Sequence, residues 1–169
     1  MIFAMLFCFA FPCLLIYAAW HDISTMTIPN WVSIALAIAF VPAALACGLT
    51  VPQIGMHLAV GAATLLICAT LFYLGIFGGG DAKVIAAASL WMGLAGANRF
   101  VFCMAVAGGC LALLLIILRR MKISSERPWA KRLLSPTEGA PYAVAIAIGA
   151  LLAAPSSPVL ATGMSVLGV

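Results

Sequence analysis

The chain has 169 residues, of which 66% are hydrophobic and 7% charged, with a formal net charge of +4. A soluble domain is about half apolar and about 25% charged. A core of this length could not hide so much apolar surface in water, so a polytopic membrane protein is expected.

Taken in order, Met1–Trp20 offers 20 uncharged residues, about the length that crosses the hydrocarbon. It lacks a basic n-region, and Tyr17-Ala18-Ala19 is a poor cleavage site, so it reads as a retained span rather than a signal peptide. His21–Thr27 is a short polar connection carrying Asp22. Ile28-Pro29-Asn30 opens a second helix, proline being tolerated in a first turn, and that helix runs to about Gly48. Gly48–Gln53 is a turn, and Ile54–Phe77 a third span with His57 near its start, read as interfacial rather than a ligand. Gly78-Gly79-Gly80-Asp81-Ala82-Lys83 follows, then a short fourth span from Asp81 to Asn98 with Lys83 snorkelling to the interface. Phe100–Leu118 is a fifth span, Arg119–Glu138 a basic loop, and Gly139–Ala154 the last clear span. Pro155-Ser156-Ser157-Pro158 interrupts it, and Val159–Val169 is too short to cross alone.

The expectation is therefore an all-α, single-domain membrane protein with about six transmembrane helices. Six of the eight basic residues lie between Arg119 and Arg132. In this context they mark a loop beside anionic headgroups, with Trp129, Leu133 and Leu134 resting on the membrane, rather than a nucleic-acid surface. With six spans, the connections after spans one, three and five share a side and hold seven Lys and Arg, against Arg99 on the other. The positive-inside rule makes that side cytoplasmic and puts the N-terminus outside. The six cysteines form no C-x-x-C pair; they read as small fillers of helix interfaces, and neither a metal nor a cofactor is expected.

Four residues in the chain are acidic, and on this topology Asp22 and Asp81 both emerge at span ends on the cytoplasmic face. Held close together, two carboxylates share one proton and titrate as a unit. Such a pair can deprotonate a water with one member and protonate a leaving amine with the other. Asp22 follows a helix C-terminus, where negative charge is disfavoured, and Asp81 precedes a helix N-terminus, where it is favoured. On that ground Asp22 is expected to hold the resting proton. Gly78, Gly79 and Gly80 let the backbone turn sharply and let a peptide approach closely. Read blandly, Asp81 caps a helix, Lys83 is interfacial and Asp22 is an ordinary loop carboxylate. Glu126 and Glu138 read as solvated or paired charges within the basic loop.

Asp22 followed by Ile28-Pro29-Asn30, together with Gly78-Gly79-Gly80-Asp81-Ala82-Lys83, resembles the two signatures of type IV prepilin peptidases, which are G-x-G-D membrane aspartic proteases. Pro141-Tyr142-Ala143-Val144-Ala145-Ile146-Ala147 is similar to the family pattern in the last helix. The resemblance implies that Asp22 and Asp81 are a catalytic pair cutting the short basic leader from a prepilin or pseudopilin at the cytoplasmic face of a bacterial-type inner membrane, after a glycine. Gly78, Gly79, Gly80 and Lys83 would support the active-site turn, and Pro29, Asn30, Pro141 and Tyr142 would support substrate or structure. Ser24-Thr25-Met26-Thr27 stands where family members often carry basic residues, and Ala143 replaces a common glycine. Only seven residues, His21–Thr27, separate spans one and two. That leaves no room for the cysteine-containing insertion of the bifunctional methylating members and resembles the short enzymes of tight-adherence (Flp-type) pili. Rival readings are a small proton-coupled transporter, which would want acidic residues nearer mid-membrane, and a noncatalytic pilus or secretion assembly factor. Presenilin-type proteases fit less well, because their first aspartate lies in a Tyr-Asp context. Nothing in the sequence speaks to oligomeric state.

Overall fold

The computed structural model describes residues 2–121, 127–135 and 137–167. Glu126 lies outside them, as do the two ends of the chain. The described residues are helical, with no strand. The helices are α1 (Ile2–Thr25), α2 (Asn30–Ala46), α3 (Val51–Tyr73), α4 (Gly79–Arg120), α5 (Pro128–Leu134), α6 (Tyr142–Ala153) and α7 (Pro158–Leu167), with a 3-10 turn, Ala154–Ser156, between the last two.

Local chemistry sets the boundaries. Thr50 opens α3 with a capping box, its N–H donating to Gln53 Oε1 at 2.8 Å, which satisfies one of the amides a helix start leaves open. Pro29 and Pro141 stand just before α2 and α6. By length and apolar composition α3 and α4 can each cross a membrane, and α6 with α7, bent by 72° at their junction, would make a third such element. Large apolar side chains stand bare on the outside, among them Trp20, Ile38, Leu66 and Phe102. So wide an apolar exterior is that of a membrane protein.

The boundary expected near Asn98 lies instead at Gly93. There φ is 59° and ψ −171°, a region open in practice only to glycine, and α4 doubles back on itself. Its first half packs antiparallel to α3, Gly61 meeting Leu90 and Phe72 meeting Gly79. Its second half packs antiparallel to α6, where Gly149 meets Met104 and Gly108 meets Tyr142.

The break frees carbonyls that side chains then satisfy. His57 Nδ1–H donates to the Leu90 carbonyl at 2.8 Å, and Ser157 Oγ–H to that of Trp91 at 2.6 Å. His57 is therefore not interfacial: it is buried, stacked on Phe40 at 5.3 Å, and its ring fills the space a Cβ on Gly93 would need. Its role was hidden because nothing in the sequence marks Leu90 as a residue with a spare carbonyl. Buried backbone groups released by a break require such partners.

Trp91 anchors the core beside the break. It is fully buried between Phe11 and Phe40, with centroids at 5.0 and 5.8 Å, and its indole N–H donates to the Leu36 carbonyl at 2.9 Å. This ties α1, α2 and α4 together. At the opposite end, α4 extends to Arg120, so the basic stretch begins inside a helix. Arg119 reaches from there to the carbonyls of Leu133 and Gly139 at 3.1 and 2.8 Å, holding α5 and the approach to α6.

Candidate active site

The end of α1, the start of α4 and the start of α6 converge opposite the Gly93 break. The last turn of α1, which takes in most of the expected His21–Thr27 connection, is tied by its own polar residues to the short link before α2. His21 Nδ1 lies 2.8 Å from the Thr27 carbonyl, and Thr25 Oγ1 lies 2.9 Å from the same ring nitrogen and 2.8 Å from Thr27 Oγ1. Met26 takes a left-handed conformation, φ 55°, and closes the helix by donating its N–H to the Asp22 carbonyl at 2.8 Å. Non-glycine residues rarely adopt that conformation, so the turn is over-determined by its neighbours. It leaves the Asp22 side chain pointing inward, 6% exposed.

Asp22 meets a second helix there. Its Oδ2 accepts the Ala143 N–H at 3.0 Å, an amide in the first turn of α6 that would otherwise be open. The expectation placed Asp22 only at the C-terminal end of α1. The fold sets it equally at the N-terminal end of α6, so the dipole argument for the resting proton loses its footing. Because the contact uses backbone, the replacement of glycine by Ala143 leaves it intact.

Asp81 stands in the first turn of α4, its carboxylate beside the Gly78 backbone. Asp22 and Asp81 line one pocket of about 330 Å³ with Met26, Thr27, Ile28, Asn30 and the three glycines, and they are near enough for their charges to act on each other. Their polarity is confined to a small volume bounded by backbone. That arrangement can hold a water and an extended peptide between two carboxylates.

The glycines act through space rather than through unusual backbone angles, since Gly78 is extended at φ −71° and ψ 145°. A Cβ on Gly78 would stand 2.8 Å from Asp81 Oδ2, and one on Gly80 would stand 3.2 Å from Ile28 Cβ. Lys83 is exposed and donates to Asn30 Oδ1 at 2.8 Å. It therefore ties α4 to α2, which explains how Asn30 enters the pocket wall. Pro141 is fully buried. Tyr142 tilts against Phe77 at 5.8 Å, rests on Gly108 and feels the charge of Asp81, placing it at the edge of the site without a hydrogen bond to either carboxylate. Sequence reasoning missed the Ala143 amide and the Met26–Ile28 wall. A backbone donor leaves no mark in a sequence. No group of three metal-binding side chains occurs among the described residues.

No curated protein and no solved structure matches the chain significantly. A family model does match, over residues 9–116, a stretch that holds both aspartates and more than half of the sequence. The chain therefore belongs to the type IV leader peptidase family, a family of proteases.

Proposed function

We propose that this protein is a membrane aspartic endopeptidase that removes the short basic leader of a prepilin or pseudopilin at the cytoplasmic face of the inner membrane, without a methyltransferase activity. The observation that carries this reading is the meeting of Asp22 and Asp81 in one small pocket, where Asp22 holds the Ala143 amide.

In the proposed reaction the pair holds a single proton. The ionised carboxylate takes a proton from a water as the water oxygen attacks the scissile carbonyl carbon. The protonated carboxyl hydrogen-bonds the carbonyl oxygen, where negative charge develops. A proton then passes to the amide nitrogen, the C–N bond breaks, and the pair again holds one proton. No covalent enzyme intermediate forms. Gly78 and Gly80 keep the wall low enough for peptide backbone to approach.

The proposed membrane orientation has six spans, the N-terminus outside and the dyad at the cytoplasmic face. Support comes from the basic side chains and from the doubling back of α4, which brings Asp81 and Arg119 to the same end of the bundle. The first half of α4, from Gly79 to the break, is about 20 Å long at 1.5 Å per residue. That is shorter than the hydrocarbon, which is about 30 Å thick, so the capped break at Gly93 would lie within the membrane. The loop with α5 would rest on the lipid surface.

Co-expression of a candidate prepilin with wild type, Asp22→Asn or Asp81→Asn tests the mechanism. Both variants should fold and leave the leader attached, each amide being unable to exchange the proton. Leader removal by either variant at the wild-type rate would reject a shared dyad, and a noncatalytic assembly role would tolerate both changes.

A further inference from the structure

A groove of about 480 Å³ runs between α2 and α3 above the first half of α4. Its walls include Ile34 and Ala37 from α2 and Leu58 and Ala62 from α3, and Ala86 and Ala87 form its floor. The alanines of the walls and floor leave room for another helix to approach. Polar groups gather at one end only, where Asn30, Ser33 and Lys83 stand. Asn30 also lines the pocket of Asp22 and Asp81, so the two cavities share a wall. The Lys83–Asn30 hydrogen bond crosses their junction. A groove of similar size between α4 and α6, about 510 Å³, shares no residue with the dyad pocket.

An occupant suited to this shape is apolar along its length and polar at the end that reaches the carboxylates. A free lipid has no need to place its polar end over the dyad. A peptide whose polar segment runs into an apolar helix does. We propose that the α2–α3 groove docks the apolar helix of the peptide substrate, so that the peptide bond just before that helix lies over Asp22 and Asp81. This rests on the peptidase reading. Asn30 exchanges its bond with Lys83 for the extended backbone at the junction, and the groove thereby sets which bond is presented.

The test uses the full-length protein in lipid nanodiscs and two synthetic probes. One is a basic leader ending in glycine followed by an apolar helix of about 20 residues; the other is the same leader with a few following residues and no helix. Ala37→Phe and Ala62→Phe fill the groove from exposed positions, and Val106→Phe fills the α4–α6 groove as a control. Each groove variant should raise KM for the long probe by about tenfold or more, a loss of substrate binding, while the short probe is cut as before. The control should change neither. Wild-type kinetics on the long probe in both groove variants would overturn the proposal.

A photo-crosslinker at Leu65, which also lines the groove, in the Asp81→Asn protein gives a second readout that is insensitive to any misfolding of the filled variants. An adduct with the helix of the long probe supports docking, and adducts with lipid alone overturn it. Failure of the two readings differs in kind. Wild type that cuts neither probe, while the crosslinker protein still forms the adduct, removes the peptidase reading and leaves the dock, whereas cleavage by wild type without an adduct does the reverse.

Discussion

Gly78→Ala adds a methyl group 2.8 Å from Asp81 Oδ2. To restore ordinary contact at 3.4 Å, that oxygen must retreat by about 0.6 Å, and the end of an aspartate side chain can do this by a small rotation. Alanine is at ease at φ −71° and ψ 145°, and it lowers the entropy of the unfolded chain, a gain of about 0.4–1 kcal/mol. Stability should therefore hold or rise slightly. Catalysis should not hold, because a misplacement on the order of 1 Å costs roughly 100-fold in rate, about 2.7 kcal/mol of barrier. The assay pairs thermal unfolding in detergent with kcat/KM on a leader peptide. An active Gly78→Ala protein, within about threefold of wild type, would refute the claim that the position of Asp81 against the turn governs the reaction; threefold is about 0.65 kcal/mol. A protein that loses activity and melts earlier would refute the claim that the turn can yield at low cost.

Gly93→Ala should destabilise by about 3 kcal/mol, through a backbone region reserved for glycine and overlap with the His57 ring. In a His57→Ala background its further cost should fall by at least about 1 kcal/mol, and strict additivity in a double-mutant cycle would reject the contact. Ser157→Ala should cost about 1–2 kcal/mol by stranding the Trp91 carbonyl, and an unchanged melting temperature would show that water replaces it. Single cysteines at Lys83 and Thr137, in a background without native thiols, should react with an impermeant reagent from the same side of the membrane; opposite sides would reject the proposed orientation.

Several features were readable one residue at a time. The polar interruptions at His21–Thr27 and Gly78–Lys83 are visible because charge is rare in this chain, and Asp22 and Asp81 stand out for the same reason. The helix start at Pro29 follows from ring geometry that fits a first turn, whereas Pro52, expected within a turn, stands in the first turn of α3, which begins at Val51. The break at Gly93 was not legible, because a glycine within an apolar run looks the same whether the helix continues or turns. What decides it is the His57 ring, which leaves no room for a Cβ, together with the supply of donors from His57 and Ser157 to carbonyls the break exposes. Asn98-Arg99 looked like a boundary because it is polar, yet polarity alone does not stop a helix.

The sequence by itself determined the class of the protein, since so apolar a chain has no soluble solution. It also determined which carboxylates were available, because only two of the four acidic residues, Asp22 and Asp81, lie outside the basic loop. Tertiary structure alone decided how they meet. The fold brings the Ala143 amide of α6 to Asp22, turns α4 back so that its second half passes Tyr142 at the edge of the pocket, and opens the groove that shares Asn30 with the pocket. Each of these depends on residues distant in the chain whose contacts are made through backbone atoms or shared space. Residue identity carries no record of either until the helices are packed.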